Sequence, residues 1–204
     1  MKELGSLGNS PMRKVPTAVL ISGRGSNMVS LVKASLHKDY PANISLVISN
    51  IPTAPGIAKA RELGVMAMAI NYKDFKNRLS FDMALDSVLR TAQIEMVCCA
   101  GFMRILTPEF TSKWQGKILN IHPSLLPKYK GLNTHQKALD AGDKEHGCTV
   151  HYVTPELDSG EVILQRKISI LNTDTAESLA DRLLPIEQTI YPIALKKVLT
   201  ETSR

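Results

Sequence analysis

Between residues 15 and 121, short apolar runs alternate with stretches in which apolar residues recur at helical spacing, and the connections between them are short. The runs are "VPTAVLI" (15–21), "ISLVISN" (44–50), "VMAMAI" (65–70), "IEMVCCAG" (94–101) and "GKILNI" (116–121). The helical stretches between them are "MVSLVKASL", "PGIAKARELG" and "RLSFDMALDSVLRTA". Strands that are apolar throughout must be covered on both faces, and helical crossovers between parallel strands do this. The pattern predicts an α/β fold with a mostly parallel sheet and helices on both faces. Beyond residue 130 the pattern changes. "GCTVHYV" and "EVILQRKISI" flank "TPELDSGE", which predicts an antiparallel extension in the C-terminal part. The final stretch, "DTAESLADRLLPIEQTIYPIALKKVL", reads as helix, with Asp174 as N-cap and Glu177 three residues on. Pro185 and Pro192 are expected to break or kink it. No repeat, low-complexity tract or linker interrupts the chain. The expectation is a disordered tail over residues 1–14 and a single domain over 15–204.

Two strand ends carry polar groups that a core does not need. The first strand runs into Gly23-Arg24-Gly25-Ser26-Asn27 before a helix. Glycines there let the backbone approach a ligand, and the N–H groups of a helix start bind anions. This turn lacks the third glycine of a dinucleotide fingerprint and the Gly-Lys-Ser/Thr of a P-loop. It reads as a phosphate-binding turn or, more plainly, as a tight turn with a Ser/Asn cap. The strand over 116–121 leads into "ILNIHPSLLPKYKG". Asn120 and His122 are two residues apart, so they project to one face at the carboxyl end of a parallel strand, where α/β sheets bind ligands. A neutral and a chargeable donor together suit an oxyanion formed during acyl transfer. Equally, the pair can satisfy loop carbonyls. Asp158 in "ELDSGE" is a carboxylate that would favour a charged His122 if the fold brought them together. Its plainer role is an Asx turn at a hairpin. In "AGFMRIL", Phe102, Met103, Ile105 and Leu106 suit an apolar pocket with Arg104 at its rim, or core followed by a helix start.

Composition narrows the partners. The net charge is +6, yet the basic residues are dispersed and accompanied by one tryptophan and few other aromatics. That argues against nucleic acid and for small anionic ligands. No apolar run approaches the roughly 18–20 residues of a membrane span. The start, "MKELGSLGNSPMRK", has no signal-peptide core, and Cys98, Cys99 and Cys148 are odd in number. A reducing cytoplasm is the expected location. His135, His146 and His151 lack zinc-ligand spacing, and His146 and His151 face opposite ways on one probable strand, so no metal is expected.

Five segments in order, "VLISGRGSN" (19–27), "CAGFMRIL" (99–106), "LNIHPSLLPKYKGLNTH" (119–135), "EHGCTVHYVTPELDSG" (145–160) and "VILQ" (162–165), resemble the folate-dependent formyltransferases. "SGRGSN" narrows the resemblance to the phosphoribosylglycinamide formyltransferase family. It covers about residues 16–195. The resemblance implies a Rossmann-like sheet with an N-terminal phosphate-binding half (about 15–115) and a C-terminal catalytic and folate half (about 116–200). It implies 10-formyltetrahydrofolate as cosubstrate, phosphoribosylglycinamide as acceptor, a place in de novo purine (IMP) synthesis, and a monomer or homodimer. By resemblance, Gly25, Ser26, Asn27 and Glu187 hold the ribonucleotide. Arg78, Met103, Arg104, Ile105, Leu106 and Asn120 hold the folate, and Asn120, His122 and Asp158 form the catalytic trio. Pro185 stands two residues before Glu187, where a kink would displace it. Two other readings are a folate hydrolase, with water as acceptor, and a non-catalytic nucleotide- or RNA-binding module. The second leaves the Asn-x-His pair without a purpose.

Overall fold

Strand β1 (Val15–Ile21) shows why this sequence makes a covered sheet. Val19 and Ile21 belong to one apolar core, while Ala18 and Leu20 belong to another on the opposite face, and all four are fully buried. The computed structural model describes residues 13–201. In chain order, β1 is followed by α1 (Ser26–Ser35), β2 (Ala42–Ser49), α2 (Pro55–Glu62), β3 (Met66–Ala69), α3 (Arg78–Thr91), β4 (Met96–Cys99) and α4 (Pro108–Lys113). Then come β5 (Ile118–His122), α5 (Thr134–Asp140), β6 (Glu145–Tyr152), β7 (Val162–Ser169) and α6 (Ala176–Glu201). Among the described residues seven strands form one sheet in the order β3-β2-β1-β4-β5-β6-β7. The first five run parallel. The β5–β6 and β6–β7 pairs are antiparallel, as the change of pattern beyond residue 130 predicts.

One face is covered by α1, α2 and α6, through Met28, Leu31, Ile57, Leu183 and Leu195 among others. The other is covered by α3 and α4, through Phe81, Leu85, Leu89, Phe110 and Trp114. Cys98, Cys99 and Cys148 are buried and unpaired, and burial pushes the Cys99 and Cys148 thiols up to about 12. They pack as small apolar groups. Of the tail expected over residues 1–14, residues 1–12 lie outside the described residues. Lys14 donates to the carbonyls of Ser35 and His37, each at 2.7 Å, and Arg13 pairs with Glu95.

Three details depart from expectation. Helices α4 and α5 and a 3-10 turn at Tyr72–Asp74 were not anticipated. All three are too short to show a clear helical period. The cap of α6 is Thr175, whose Oγ1 accepts from the Ser178 N–H at 3.1 Å while Ser178 Oγ accepts from the Thr175 N–H at 2.9 Å. Asp174 instead accepts from Leu171 N–H at 2.8 Å and pairs with Arg182. Helix α6 also runs unbroken through Pro185 and Pro192. A proline removes the N–H that would bond the carbonyl four residues earlier. For Pro185 that carbonyl belongs to Asp181, and both residues are exposed.

Tyr191 anchors α6 to the sheet. It is fully buried, and its hydroxyl proton is shared between the carbonyls of Cys99 at 2.9 Å and Leu119 at 3.1 Å. The Cys99 carbonyl ends β4, and Leu119 is the second residue of β5. Tyr40 adds a bond from its hydroxyl to the Pro192 carbonyl at 2.8 Å. Replacing Tyr191 with Phe removes its hydroxyl's bonds to two buried strand carbonyls. The expected cost is about 1–2 kcal/mol, measured as a lower urea midpoint with an unchanged slope.

Candidate active site

At the first turn, Gly25 ends the loop and starts α1 with φ 69°. A side chain there would be strained by the backbone and would meet Met28 Cε at 2.9 Å. The start of α2 closes in from the other side: the Gly56 N–H donates to Gly23 O at 3.0 Å. A Cβ on Gly56 would lie 2.5 Å from Ile21 Cδ1 and 2.9 Å from Gly23 O, so only glycine permits this approach. Helix α1 has no side-chain cap, which leaves its first N–H groups open to an anion. Asn27 donates from Nδ2 to Glu187 Oε2 at 2.8 Å. Its Oδ1 is buried with no hydrogen-bond partner. Glu187 stays at this turn despite Pro185, because α6 is continuous and Tyr191, one helical turn on, fixes the same face.

The second group gathers at the end of β5. Asn120 is half-buried and His122 is buried. The fold brings Asp158 to them: its Oδ2 lies 3.5 Å from His122 Nδ1, an ion-pair distance that is long for a hydrogen bond. Oδ2 also accepts from the Gly131 N–H at 2.9 Å. His122 Nε2 lies 2.9 Å from the Tyr129 carbonyl, so both ring nitrogens face acceptors. Tyr129 and Asp158 both adopt left-handed backbone, with φ 57° and 47°. Such conformations cost about 1–3 kcal/mol each outside glycine and concentrate at functional sites.

The segment between His122 and Tyr129 is held from below by β6 and β7. Thr149 Oγ1 donates to Ser124 O at 2.6 Å and accepts from the Leu126 N–H at 3.1 Å. Gln165 Nε2 donates to Leu126 O and to Thr149 Oγ1, both at 2.8 Å. A cleft of about 400 Å³ opens beside this segment, lined by Leu126, Pro127, Lys130, Asp158 and Gly160 among others. Among the described residues no cluster of His, Cys, Asp and Glu is placed to hold a metal ion.

The third group follows β4. Met103 and Ile105, on the loop after β4, are 69% and 53% exposed. Leu106 instead packs in the core with Phe81 and Phe110. The Arg104 guanidinium lies 4.5 Å from the Tyr72 ring centroid and 5.8 Å from that of Phe81. Arg78, the first residue of α3, is exposed. Both arginines draw down the Asp82 carboxyl, although burial outweighs them and raises it above its ordinary value.

Sequence reasoning missed the residues that join these groups. Ser22 Oγ donates to Asn50 Oδ1 at 2.5 Å and accepts from the Met103 N–H at 2.7 Å, tying the exposed loop to the first turn. Only the position of Ser22 at a strand end hinted at this. His151 stands opposite Asn120 on β6, with Nε2 3.2 Å from Asn120 Nδ2 and 3.7 Å from Asp158 Oδ1. Aligning the two strands as neighbours would have found it.

A family model described as formyl transferase matches residues 15–195. The chain is 45% identical over 201 residues to the trifunctional purine biosynthetic protein adenosine-3 of Homo sapiens, covering 97% of this chain and 20% of that protein. It spans about a fifth of the length of such trifunctional relatives. It is 45% identical over 185 residues to the phosphoribosylglycinamide formyltransferase of Haemophilus influenzae, covering 91% of this chain and 86% of that one. The crystal structure of the phosphoribosylglycinamide formyltransferase from Brucella melitensis matches with a TM-score of 0.87 at 42% identity, covering 92% of this chain and 96% of that one.

Burial raises the Glu187 carboxyl above its ordinary value, and the Asn27 bond only partly offsets this. Its folded pKa therefore exceeds its unfolded one, and the native state binds the proton more readily. Folding pays no penalty at this group below about pH 4.5, and the full penalty above the folded pKa. Glu187→Gln keeps an acceptor for Asn27 without the charge. Thermal melts of both proteins from pH 4 to 8 should show the Gln variant gaining on the parent as pH rises.

Proposed function

The chain belongs to the formyl transferase family, and from that premise we propose that it transfers the formyl group of 10-formyltetrahydrofolate to the amine of phosphoribosylglycinamide, a step of de novo purine synthesis. The observation that carries this reading is the meeting of Asn120, His122 and Asp158 at the carboxyl edge of the sheet, with His122 Nδ1 3.5 Å from Asp158 Oδ2. Names of relatives that align along most of their length support the acceptor.

In this scheme the substrate amine attacks the formyl carbon and the carbonyl oxygen becomes an oxyanion. Asn120 donates a hydrogen bond to it, and protonated His122 adds its charge. Asp158 supports that charge, and both ring nitrogens already face acceptors. Collapse expels the folate nitrogen, which takes a proton from His122 or from a water ordered beside it, while the attacking amine, cationic after attack, gives up one proton that returns through that water to His122. No bond forms between enzyme and formyl group.

The ribonucleotide phosphate sits on the open N–H groups of Gly25, Ser26 and Asn27 at the start of α1. Glu187 accepts from the sugar hydroxyls, and the unpartnered Oδ1 of Asn27 adds another acceptor. The folate lies along Met103, Arg104 and Ile105 and the backbone of Leu106, whose side chain packs in the core, and Met103 and Ile105 offer exposed apolar surface. Arg78 and Arg104 face its anionic tail, and Asn120 serves both substrates. The phosphate-binding turn and the folate residues Arg78 and 103–106 fall in the N-terminal half, about residues 15–115, and the catalytic trio in the C-terminal half, about 116–200, from which Glu187 reaches back to the first turn. Unpaired buried cysteines suit a cytoplasmic enzyme, acting as a monomer or homodimer.

Asn120→Ala and His122→Ala should each fold with near-parental melting temperatures and lose about 10²- to 10³-fold in turnover. The assay follows formyl-folate consumption with and without phosphoribosylglycinamide. A His122→Ala enzyme with parental rate would sink the mechanism. Consumption that ignores the ribonucleotide would mark a hydrolase instead.

A further inference from the structure

Asn120 and His151 face each other across the antiparallel β5–β6 pair, so both side chains rise from one face of the sheet. His151 is 2% exposed, and formyl transfer assigns it no task. Its Nδ1 lies 2.8 Å from the backbone carbonyl of Tyr152, which has no proton to give, so Nδ1 is the nitrogen that carries hydrogen. In a neutral ring Nε2 then holds a lone pair and accepts. That lone pair faces Asn120 Nδ2 at 3.2 Å. A carboxamide turned the other way would set its oxygen against the lone pair.

We propose that His151 is a positioning residue: held as the Nδ1–H tautomer by the Tyr152 carbonyl, it fixes the carboxamide of Asn120 so that the second N–H of its amino group points at the oxyanion. The proposal rests on the formyl-transfer reading for its consequence in rate, but not for the tautomer.

The charged and titratable groups around the ring agree with a neutral His151. Asp158 Oδ1, from the loop after β6, lies 3.7 Å from Nε2 and favours a proton there. Burial is the largest opposing effect, and His122 on β5 opposes it too; together they hold His151 below the usual histidine range. Hydrogen bonding separates the two rings further. His122 faces two acceptors, Tyr129 O and Asp158, whereas the Nε2 of His151 faces the donor Asn120. One carboxylate thus serves two imidazoles with different tasks.

The tautomer can be read directly. Long-range nitrogen–proton spectra of the histidine-labelled enzyme at neutral pH should show His151 protonated at Nδ1 alone. A ring protonated at Nε2, or at both nitrogens, would overturn the proposal. In kinetics, His151→Leu should lower kcat about 10- to 100-fold with little change in KM for either substrate. His151→Gln, whose amide oxygen accepts from Asn120, should recover most of that loss. In an Asn120→Ala background, His151→Leu should cost nothing further in kcat. A loss that persists there, or a Gln variant no better than Leu, refutes the positioning role. If the Leu variant does not fold, the ring spectra and the Gln variant decide. Should the parent yield no formylated product, the transferase reading fails, while the spectra still settle the state of His151.

Discussion

Parallel strands place all their carboxyl ends on one edge, and the candidate site residues that follow β1, β4 and β5 depend on that constraint. The chain leaves β1 toward β2 on one side and returns through β4 on the other. The loops after β1 and β4 diverge at this reversal, which opens a crevice that α/β sheets use for ligands. A crevice between diverging loops needs something to fix its width. Ser22 does so, with its N–H on Gly101 O at 3.1 Å and its hydroxyl between Asn50 and the Met103 N–H.

The antiparallel strands extend that edge in a different way. A parallel neighbour would bring another strand end to the crevice. Strand β6 instead runs back past β5 and sets His151 opposite Asn120 and Thr149 opposite His122. On the next strand Gln165 stands opposite Thr149. Two polar rows therefore cross the sheet. One joins His151 to the Asn120 carboxamide, and the other clamps the segment from Ser124 to Leu126.

Much of the fold was legible because burial writes itself into the order of apolar residues. The five parallel strands, the three longer helices between them and the antiparallel extension all showed in period and spacing. The helices α4 and α5 did not, since six or seven residues give too few turns for a pattern. The prolines of α6 do not break it, since the helix is continuous through both, and Pro185 stands on its exposed side, which period alone does not show. At the site, Asn120 and His122 were legible as a strand pair. Asp158 needed the resemblance, and His151 and Ser22 needed strand neighbours that no local pattern encodes. Spacing also pointed to Leu106 as a pocket wall, whereas its side chain serves the core.

The bond between Asn27 and Glu187 joins partners 160 residues apart in the chain. A ribosome adds about 5–20 residues per second, so Asn27 waits on the order of ten seconds for its carboxylate after it is made. Throughout that interval β1, α1 and β2 can already pack, yet the first turn is missing one wall. The wall of the first turn that Glu187 supplies is therefore added long after the turn itself, and the nascent chain can pair β1 with β2 well before it holds that wall.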